Sequence, residues 1–316
     1  MSMNVLQGIE GLKSIARGSV ISIGNYDGVH VGHQAIITRM MELAQGTPTA
    51  VVTFEPHPLT VLRPQLAPPR LSSPDRKQQL IAAAGVSDLV ILPPSVDVLG
   101  LTAEQFWTIL RDDVRPSHIV EGRAFNFGKD RAGTIERLIE WATPTPIKVH
   151  LVPSQSRVLC DRSVVDVSSS TIRWLLGYGR VADAARCLGR PLELSGIVMK
   201  GFQRGRTIGV PTANLDCGDQ LIPADGVYAG ECEVDGVLYR AAVSIGSTPT
   251  FDRQKHQVEA HLIGFNGELY DRTLDLRIVE WVRDQMKFPN VDALKSQLGR
   301  DIGGISATAA QTPDHS

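Results

Sequence analysis

Short β-branched runs alternate with amphipathic stretches along the first half of the chain. Between the runs, residues 32–44 place apolar side chains on one helical face, and Ser73-Pro74 and Thr102 with Gln105 predict two further helix starts. This order of elements predicts an open parallel sheet with helices on both faces and a ligand site beyond the carboxyl ends of the strands. The predicted strands lie at residues 20–23, 50–54, 89–92, 118–120 and 147–152.

The pattern changes after about residue 190, where alternating and β-rich runs follow each other closely. Asp235-Gly236 and Asn266-Gly267 separate such runs and predict two-residue hairpin turns. Strands at this spacing are typical of a small antiparallel barrel or sandwich, closed here by a predicted helix at about residues 292–298. The strands are predicted at residues 193–200, 226–233, 237–245, 257–265 and 269–279.

The change of pattern predicts two domains, at residues 1–187 and 188–302, with the join at residues 188–191. A chain of 316 residues is long enough for two domains of ordinary size. Residues 303–316 are small and polar, which predicts a disordered tail.

Composition and charge exclude several classes of protein. Hydrophobic residues make up 42% and charged residues 21%, as in ordinary folded proteins. With 32 basic and 34 acidic residues, the chain lacks the basic excess expected for a nucleic-acid or anionic-membrane partner, and no run reaches the roughly 18 apolar residues of a membrane span. Four widely spaced cysteines predict reduced thiols and a cytoplasmic location, and the sequence is compatible with a homo-oligomer.

The string GNYDGVHVGH, at residues 24–33, directly follows the first predicted strand of this sheet and opens a helix. Backbone N–H groups at such a position bind anions, and His30 and His33 can converge on one phosphate. The pair fits nucleotidyl transfer, a reaction that needs positioning and charge stabilisation but no side-chain nucleophile. Ordinary structural histidines are one alternative; a zinc site is another, although no third ligand stands at a familiar spacing.

A second candidate phosphate loop is the string KGFQRGRTIG at residues 200–209. Glycines interleaved with arginine and lysine can wrap the phosphates of a nucleotide, and a solvated surface loop is the alternative. Gly201, Arg206 and Gly209 are its candidate ATP-binding residues. The string PTAN follows at residues 211–214.

The string at residues 24–33 resembles the Gly-x-Phe-Asp-Gly-x-His-x-Gly-His motif of bacterial bifunctional riboflavin kinase/FAD synthetases, with Tyr26 in place of the usual Phe. TFEPHP at 53–58, GKDRAG at 128–133 and VSSSTIR at 167–173 resemble further segments of that family, in the expected order. Ala124 stands where the family has Asn or Asp, which removes a hydrogen-bonding group at the adenylylation site. For binding of the ATP phosphates, the resemblance implies Gly24, Asp27, Gly32, Ser168, Ser169 and Arg173.

The PTAN string resembles the riboflavin kinase motif in which a threonine hydroxyl and an asparagine serve a magnesium ion bridging ATP phosphates. The resemblance therefore implies Mg²⁺ at Thr212 and Asn214, whose oxygens are of the hard type that this ion prefers. Glu259 is implied as the base that accepts the proton of the ribityl 5′-hydroxyl. A solvated, outward-facing glutamate is the alternative. Gln285 stands where the family usually has Glu.

Together these resemblances imply an α/β protein with an N-terminal Rossmann-like nucleotidyltransferase domain and a C-terminal antiparallel β-barrel with a terminal helix. The barrel is expected to phosphorylate riboflavin to FMN with ATP and Mg²⁺, and the first domain to convert FMN and a second ATP to FAD and pyrophosphate. Its partners are then small molecules. Two rivals are a riboflavin kinase with a degenerate adenylyltransferase domain and a non-catalytic flavin- or nucleotide-binding regulator.

Overall fold

The computed structural model describes residues 3–200, 209–249 and 254–308, and their contacts group into two units. The first unit holds the described residues up to 69 together with residues 74–157 and 166–168. The second unit holds residues 70–73, 158–165 and the described residues from 169 onwards. The division near residue 168 falls earlier in the chain than the predicted join at 188–191.

The first unit is built on a six-stranded sheet in which every neighbouring pair is parallel, as predicted. In chain order the strands are β1 (Asn4–Gln7), β2 (Val20–Ile23), β3 (Thr49–Phe54), β4 (Asp88–Leu92), β5 (His118–Gly122) and β8 (Lys148–Val152), and in space they follow the order β1-β4-β3-β2-β5-β8. The edge strand β1 was not predicted, because its four residues are largely exposed and lack an apolar run.

Apolar side chains from both faces of this sheet are covered by helices. Ile21 and Val52 point into a core with Phe106 and Leu138, whereas Val51 points into a second core on the opposite face, with the residues of two other helices. The helices are α1 (Gly8–Lys13), α2 (Val31–Ala44), α3 (Leu59–Leu62), α4 (Pro74–Ala83), α5 (Val96–Leu99), α6 (Ala103–Thr108) with a π-helical continuation (Ile109–Val114), and α7 (Ile135–Ala142).

The predicted helix starts are confirmed. Thr102 and Gln105 form a reciprocal capping box at α6, and α4 begins at Pro74. Short elements complete this part of the chain: the pair β6 (Asn126–Phe127) and β7 (Gly133–Thr134), the pair β9 (Ser156–Val158) and β10 (Val164–Asp166), and 3₁₀ turns at Pro64–Leu66 and Lys129–Arg131.

The second unit contains a closed barrel of six antiparallel strands, which decides between the predicted barrel and sandwich. The hairpin at Asp235-Gly236 is confirmed, with φ of 52° and 79° at the two residues. The strands are β11 (Leu192–Met199), β12 (Ala213–Asp216), β13 (Gly226–Val234), β14 (Val237–Pro249), β15 (Gln254–Leu262) and β16 (Thr273–Arg283), in the spatial order β11-β12-β15-β14-β13-β16.

The hairpin predicted at Asn266-Gly267 is wrong. Strand β15 pairs with β12 and β14, whereas β16 pairs with β11 and β13, so a two-residue turn cannot join them. The connection instead runs through residues 263–272, where Gly264 and Asp271 have positive φ.

Helices precede and follow the barrel strands along the chain, and they belong to the same unit. α8 (Ser169–Gly177) and α9 (Val181–Leu188) belong with the barrel, and the Leu176 carbonyl accepts a hydrogen bond from the Ala224 N–H. The terminal helix α10 (Val291–Thr308) is longer than predicted. Residues 303–308 are therefore helical instead of disordered, because Ile305 is buried, and an Asp301–Arg283 ion pair of 2.8 Å joins this helix to β16.

Candidate active sites

The glycine-rich turn between β2 and α2 adopts a backbone that side chains rarely favour. Tyr26 has a φ of 49° and Val29 one of 38°, which is strained for a β-branched residue. The Gln34 side chain donates a 2.9 Å hydrogen bond to the Val29 carbonyl and holds this geometry. Strain of this kind is concentrated at ligand-binding sites.

The turn brings His30 and His33 together at the start of α2, as the sequence predicts. His30 is the N-cap, and its Nδ1 accepts a hydrogen bond of 3.4 Å from the His33 N–H. Neutral His30 therefore carries its proton on Nε2. The two rings stack with centroids 3.6 Å apart. A Cβ at Gly32 would meet the His30 ring at 3.1 Å, so this stack depends on a glycine.

His33 is held in its neutral form. Burial, followed by the proximity of His30 and Lys77, lowers the pKa of His33 well below its ordinary value. Its Nδ1 is buried without a hydrogen-bond partner among the residues that the structure describes. The site thus presents a helix N-terminus and a pair of stacked imidazoles, of which at least His33 is uncharged at neutral pH.

A buried network of hydrogen bonds connects the glycine-rich turn to strands β2 and β5. The Tyr26 hydroxyl donates to Ser22 Oγ at 2.6 Å, and Glu121 Oε1 accepts from the Ile23 N–H at 2.6 Å and from Ser22 Oγ at 3.3 Å. Burial raises the pKa of Glu121 well above its ordinary value. Sequence reasoning missed this carboxyl, since nothing in its strand marks it as buried.

Charged and polar groups gather where β3 ends. Lys77 Nζ lies 2.8 Å from Glu55 Oε2 and donates to the Phe54 carbonyl at 3.2 Å. Nearby, Asn25 Nδ2 lies 3.2 Å from His57 Nε2, which ties the glycine-rich turn to the segment after β3. Lys77 was also missed, because a lysine in an amphipathic helix usually faces solvent.

The other residues predicted to bind nucleotide in the first domain lie at the glycine-rich turn and around residue 168. Gly24 follows β2, with its N–H on the Val52 carbonyl, and Asp27 lies in the turn. Ser168 ends the first unit, whereas Ser169 and Arg173 lie in α8 of the second, so their convergence with the histidine pair stays a prediction. At the departure from the family motif, Asn126 Nδ2 donates to the Ala124 carbonyl at 2.8 Å.

In the barrel, neighbouring strands place the predicted kinase residues side by side. Glu259 of β15 lies in register with Asn214 of β12 on one side and with Ser244 of β14 on the other. Thr212 Oγ1 is 3.5 Å from Glu259 Oε2, at the outer limit of a hydrogen bond. Thr212, Asn214 and Glu259 are thus brought together, as the resemblance implies.

Glu259 is half-buried and lines an open cavity of about 410 Å³. Gln285 closes part of its wall, and its Nε2 donates to Ser244 Oγ at 2.9 Å and to the Ile245 carbonyl at 3.0 Å. Sequence reasoning gave no site role to several lining residues, which only the barrel closure brings together. The cavity is lined by Asp225, Ser244, Gly246, Gln257, Glu259, Gln285, Met286 and Lys287.

The loop residues Gly201 and Arg206 lie outside the described residues, whereas Gly209 is exposed with a φ of 83°.

A magnesium ion fits the oxygen set of the barrel site. The Thr212 hydroxyl and the Asn214 side chain are hard donors beside a carboxylate, and they leave most of the coordination shell to water and phosphate.

A parallel α/β domain with a histidine-bearing glycine-rich turn and a barrel with a carboxylate-lined cavity define a two-domain nucleotide-dependent transferase. Family models agree with this division: that of FAD synthetase matches residues 12–169, and that of riboflavin kinase matches residues 188–308. The chain belongs to the bifunctional riboflavin kinase/FMN adenylyltransferase family.

Curated relatives carry that family name and match along nearly their whole length. The chain is 34% identical to the Pseudomonas fluorescens enzyme, over 98% of both chains, and 32% identical to the Escherichia coli K12 enzyme, over 95% of this chain and 96% of that one. A crystal structure titled a macrolide-efflux protein from Streptococcus pneumoniae is 31% identical, with a TM-score of 0.84 over 97% of this chain and 99% of that one.

Both activities follow from these matches. The chain is a riboflavin kinase and an FMN adenylyltransferase, with riboflavin, FMN and ATP as substrates and FAD as a product. The two rival functions, a kinase alone and a regulator without catalysis, are therefore set aside. In the parts of the chain that the structure describes, no helix combines the length and the apolar character needed to cross a membrane.

Proposed function

We propose that Glu259 is the general base of riboflavin phosphorylation. The observation that carries this assignment is its position: it lines the barrel cavity and lies in register between Asn214 and Ser244. The ribityl 5′-oxygen attacks the γ-phosphorus of ATP, the bond to the β-γ bridging oxygen breaks, and ADP leaves. Glu259 takes the hydroxyl proton, so the attacking oxygen does not become cationic.

Thr212 and Asn214 are proposed to hold Mg²⁺, which neutralises phosphate charge when it is bound. Because Thr212 and Asn214 lie beside Glu259, the bound ion would hold the ATP phosphates near this carboxylate. The loop residues Gly201, Arg206 and Gly209 are proposed to contact the same phosphates. Replacement of Asn214 by Ala is expected to raise the Mg²⁺ concentration needed for half-maximal FMN formation.

For FAD formation, we propose that ATP binds over the glycine-rich turn. An oxygen of the FMN phosphate attacks the α-phosphorus, and pyrophosphate leaves. His30 donates from Nε2, and the N-terminal amides of α2 stabilise the charge that develops on the phosphates. His33 stacks against His30 and fixes its ring. The remaining nucleotide contacts are proposed for Gly24, Asp27, Gly32, Ser168, Ser169 and Arg173.

The base assignment is tested by Glu259→Gln, with riboflavin, ATP and Mg²⁺ as substrates and chromatography of the flavins. A general base contributes about 10²–10⁴-fold, so FMN formation should fall by at least 100-fold. FAD formation from supplied FMN should be unchanged. Glu280→Gln, an exposed carboxylate on β16, is the matched control. FMN formation within a few-fold of the native rate would refute the assignment.

We further propose that the protein works in the cytoplasm, as a monomer or a homo-oligomer. Its four cysteines, Cys160, Cys187, Cys217 and Cys232, are all free thiols, which is usual in a reducing compartment. Size measurement in solution decides between the two assembly states.

A further inference from the structure

Ser244 is a polar side chain of the barrel cavity that no role described so far uses. It lines the cavity together with Glu259, and the two residues lie in register on the neighbouring strands β14 and β15. Side chains paired in this way point to the same face of a sheet, with Cβ atoms about 4.5–5.5 Å apart. The Ser244 hydroxyl therefore lies on the same face as the carboxylate proposed above as the base.

Gln285 fixes the direction of the hydrogen bond at Ser244. Its Nε2 lies within hydrogen-bond distance of three acceptors, which are Ser244 Oγ at 2.9 Å, the Ile245 carbonyl at 3.0 Å and the Gly226 carbonyl at 3.4 Å. Carbonyl oxygens only accept hydrogen bonds, so the amide nitrogen has to face this group of atoms. The amide oxygen cannot take its place, because it would then face two carbonyl oxygens. Ser244 Oγ is therefore the acceptor of the bond to Gln285.

The proton of the Ser244 hydroxyl is left for another partner. A serine hydroxyl carries one proton, and a hydroxyl that accepts from Gln285 directs this proton elsewhere. Among the residues that the structure describes, no group accepts a hydrogen bond from the Ser244 hydroxyl. A glutamate at position 285, the residue usual in the family, would accept this proton with its carboxylate. Gln285 therefore makes Ser244 a hydrogen-bond donor for a molecule bound in the cavity.

We propose that Ser244 recognises the ribityl chain of riboflavin by donating a hydrogen bond to its 4′-hydroxyl, and that Gln285 positions Ser244 for this contact. The proposal rests on the role proposed above for Glu259, which receives the proton of the 5′-hydroxyl. The 4′-hydroxyl is the next one along the ribityl chain, so it lies within reach of the side chain in register with Glu259. A site that hydrogen-bonds a substrate hydroxyl selects against analogues that lack it.

The experiment compares riboflavin with 4′-deoxyriboflavin as substrates of the native protein and of Ser244→Ala. Removal of a hydrogen bond between neutral groups corresponds to roughly a 3- to 10-fold change, so Ser244→Ala should lower the preference for riboflavin in kcat/KM by this factor. The kcat/KM for 4′-deoxyriboflavin should stay unchanged, which also shows that the barrel is intact. Ser296→Ala, which replaces an exposed serine on α10, is the matched control and should keep the native preference.

Gln285→Ala tests the positioning role. Without the amide, the Ser244 hydroxyl is free to turn, so the preference for riboflavin over 4′-deoxyriboflavin should fall. In a protein that already carries Ser244→Ala, the same change should lower the preference no further. General damage to the cavity wall would weaken the reactions of both flavins equally, and an unchanged preference in Gln285→Ala would overturn the positioning role.

An equal loss of kcat/KM for both flavins in Ser244→Ala, or no loss for either, overturns the contact with the 4′-hydroxyl. Binding of the two flavins to Glu259→Gln, followed by flavin fluorescence, separates this outcome from a failure of the base assignment. This variant should still bind riboflavin more tightly than 4′-deoxyriboflavin, and the further change Ser244→Ala should reduce the difference. FMN formation by Glu259→Gln at a near-native rate would overturn the base assignment, and the ratio of the two binding affinities would then decide the Ser244 contact by itself.

Discussion

Gly32→Ala tests whether the stacked histidines have to be placed as the structure shows. The added Cβ would lie 3.1 Å from both Nδ1 and Cε1 of His30. Because such contacts are most favourable at roughly 3.5–4.0 Å, the ring has to move by about half an ångström. His33 stacks on the same ring with a centroid distance of 3.6 Å, so the movement disturbs both rings.

The expected result is a loss of one reaction with little loss of stability. A displacement of about 1 Å can cost about 100-fold in rate, so half of that predicts roughly a tenfold fall in FAD formation. Alanine is favoured over glycine in a helix by up to about 1 kcal/mol, which offsets part of the crowding, so the free energy of unfolding should change by less than about 1 kcal/mol. FMN formation in the barrel should be unaffected.

The assay follows FAD formed from FMN and FMN formed from riboflavin, alongside denaturant unfolding. Gly299→Ala in α10 is the control, since nothing lies within 4 Å of a Cβ at that position. It should be neutral or stabilising and should alter neither reaction. FAD formation by Gly32→Ala within twofold of the native rate would refute the link between the stacked rings and adenylylation.

Two further changes test the buried network and the cavity wall. Because the pKa of Glu121 is raised in the folded protein, the stability it contributes is present below pH 4.5 and is lost as pH rises towards its folded pKa. The free energy of unfolding of Glu121→Gln, relative to that of the native protein, should therefore increase between pH 5 and pH 8. Denaturant unfolding at the two pH values measures this, and an equal difference at both would contradict the prediction. Gln285→Ala removes two hydrogen bonds within the protein worth about 1 kcal/mol each, so the free energy of unfolding should fall by about 2 kcal/mol. Because these bonds hold the cavity wall, kcat/KM for riboflavin should fall as well, and an unchanged kcat/KM would argue against the place of Gln285 in the wall.

Local patterns predicted most of the fold. The parallel strands and the capping box at Thr102 follow from short-range chemistry, and so does the Asp235-Gly236 turn. Asn266-Gly267 carries the same turn chemistry and forms no hairpin, because the pairing of strands around the barrel separates β15 from β16. The extension of α10 depends on tertiary contacts of Ile305, which a run of small residues does not indicate.

The residues of the candidate sites also fall into two groups, those marked by short sequence motifs and those placed by tertiary contacts. His30, His33, Asn214 and Glu259 were predictable, since their neighbours in the sequence form motifs. Lys77 was not, because its place is set by an ion pair with a segment more than twenty residues away. The lining of the barrel cavity, including Ser244 and Gln285, likewise arises only when the strands close on each other.

The central claim is that one chain carries two separate active sites, and a mixing experiment tests it directly. His30→Asn keeps a good helix N-cap and removes the imidazole, whereas Glu259→Gln removes the base. With riboflavin, ATP and Mg²⁺, neither variant alone should make FAD, and an equimolar mixture should make it from FMN released by His30→Asn. A mixture that forms no FAD, or either variant losing both reactions when FMN and riboflavin are supplied separately, would contradict the account.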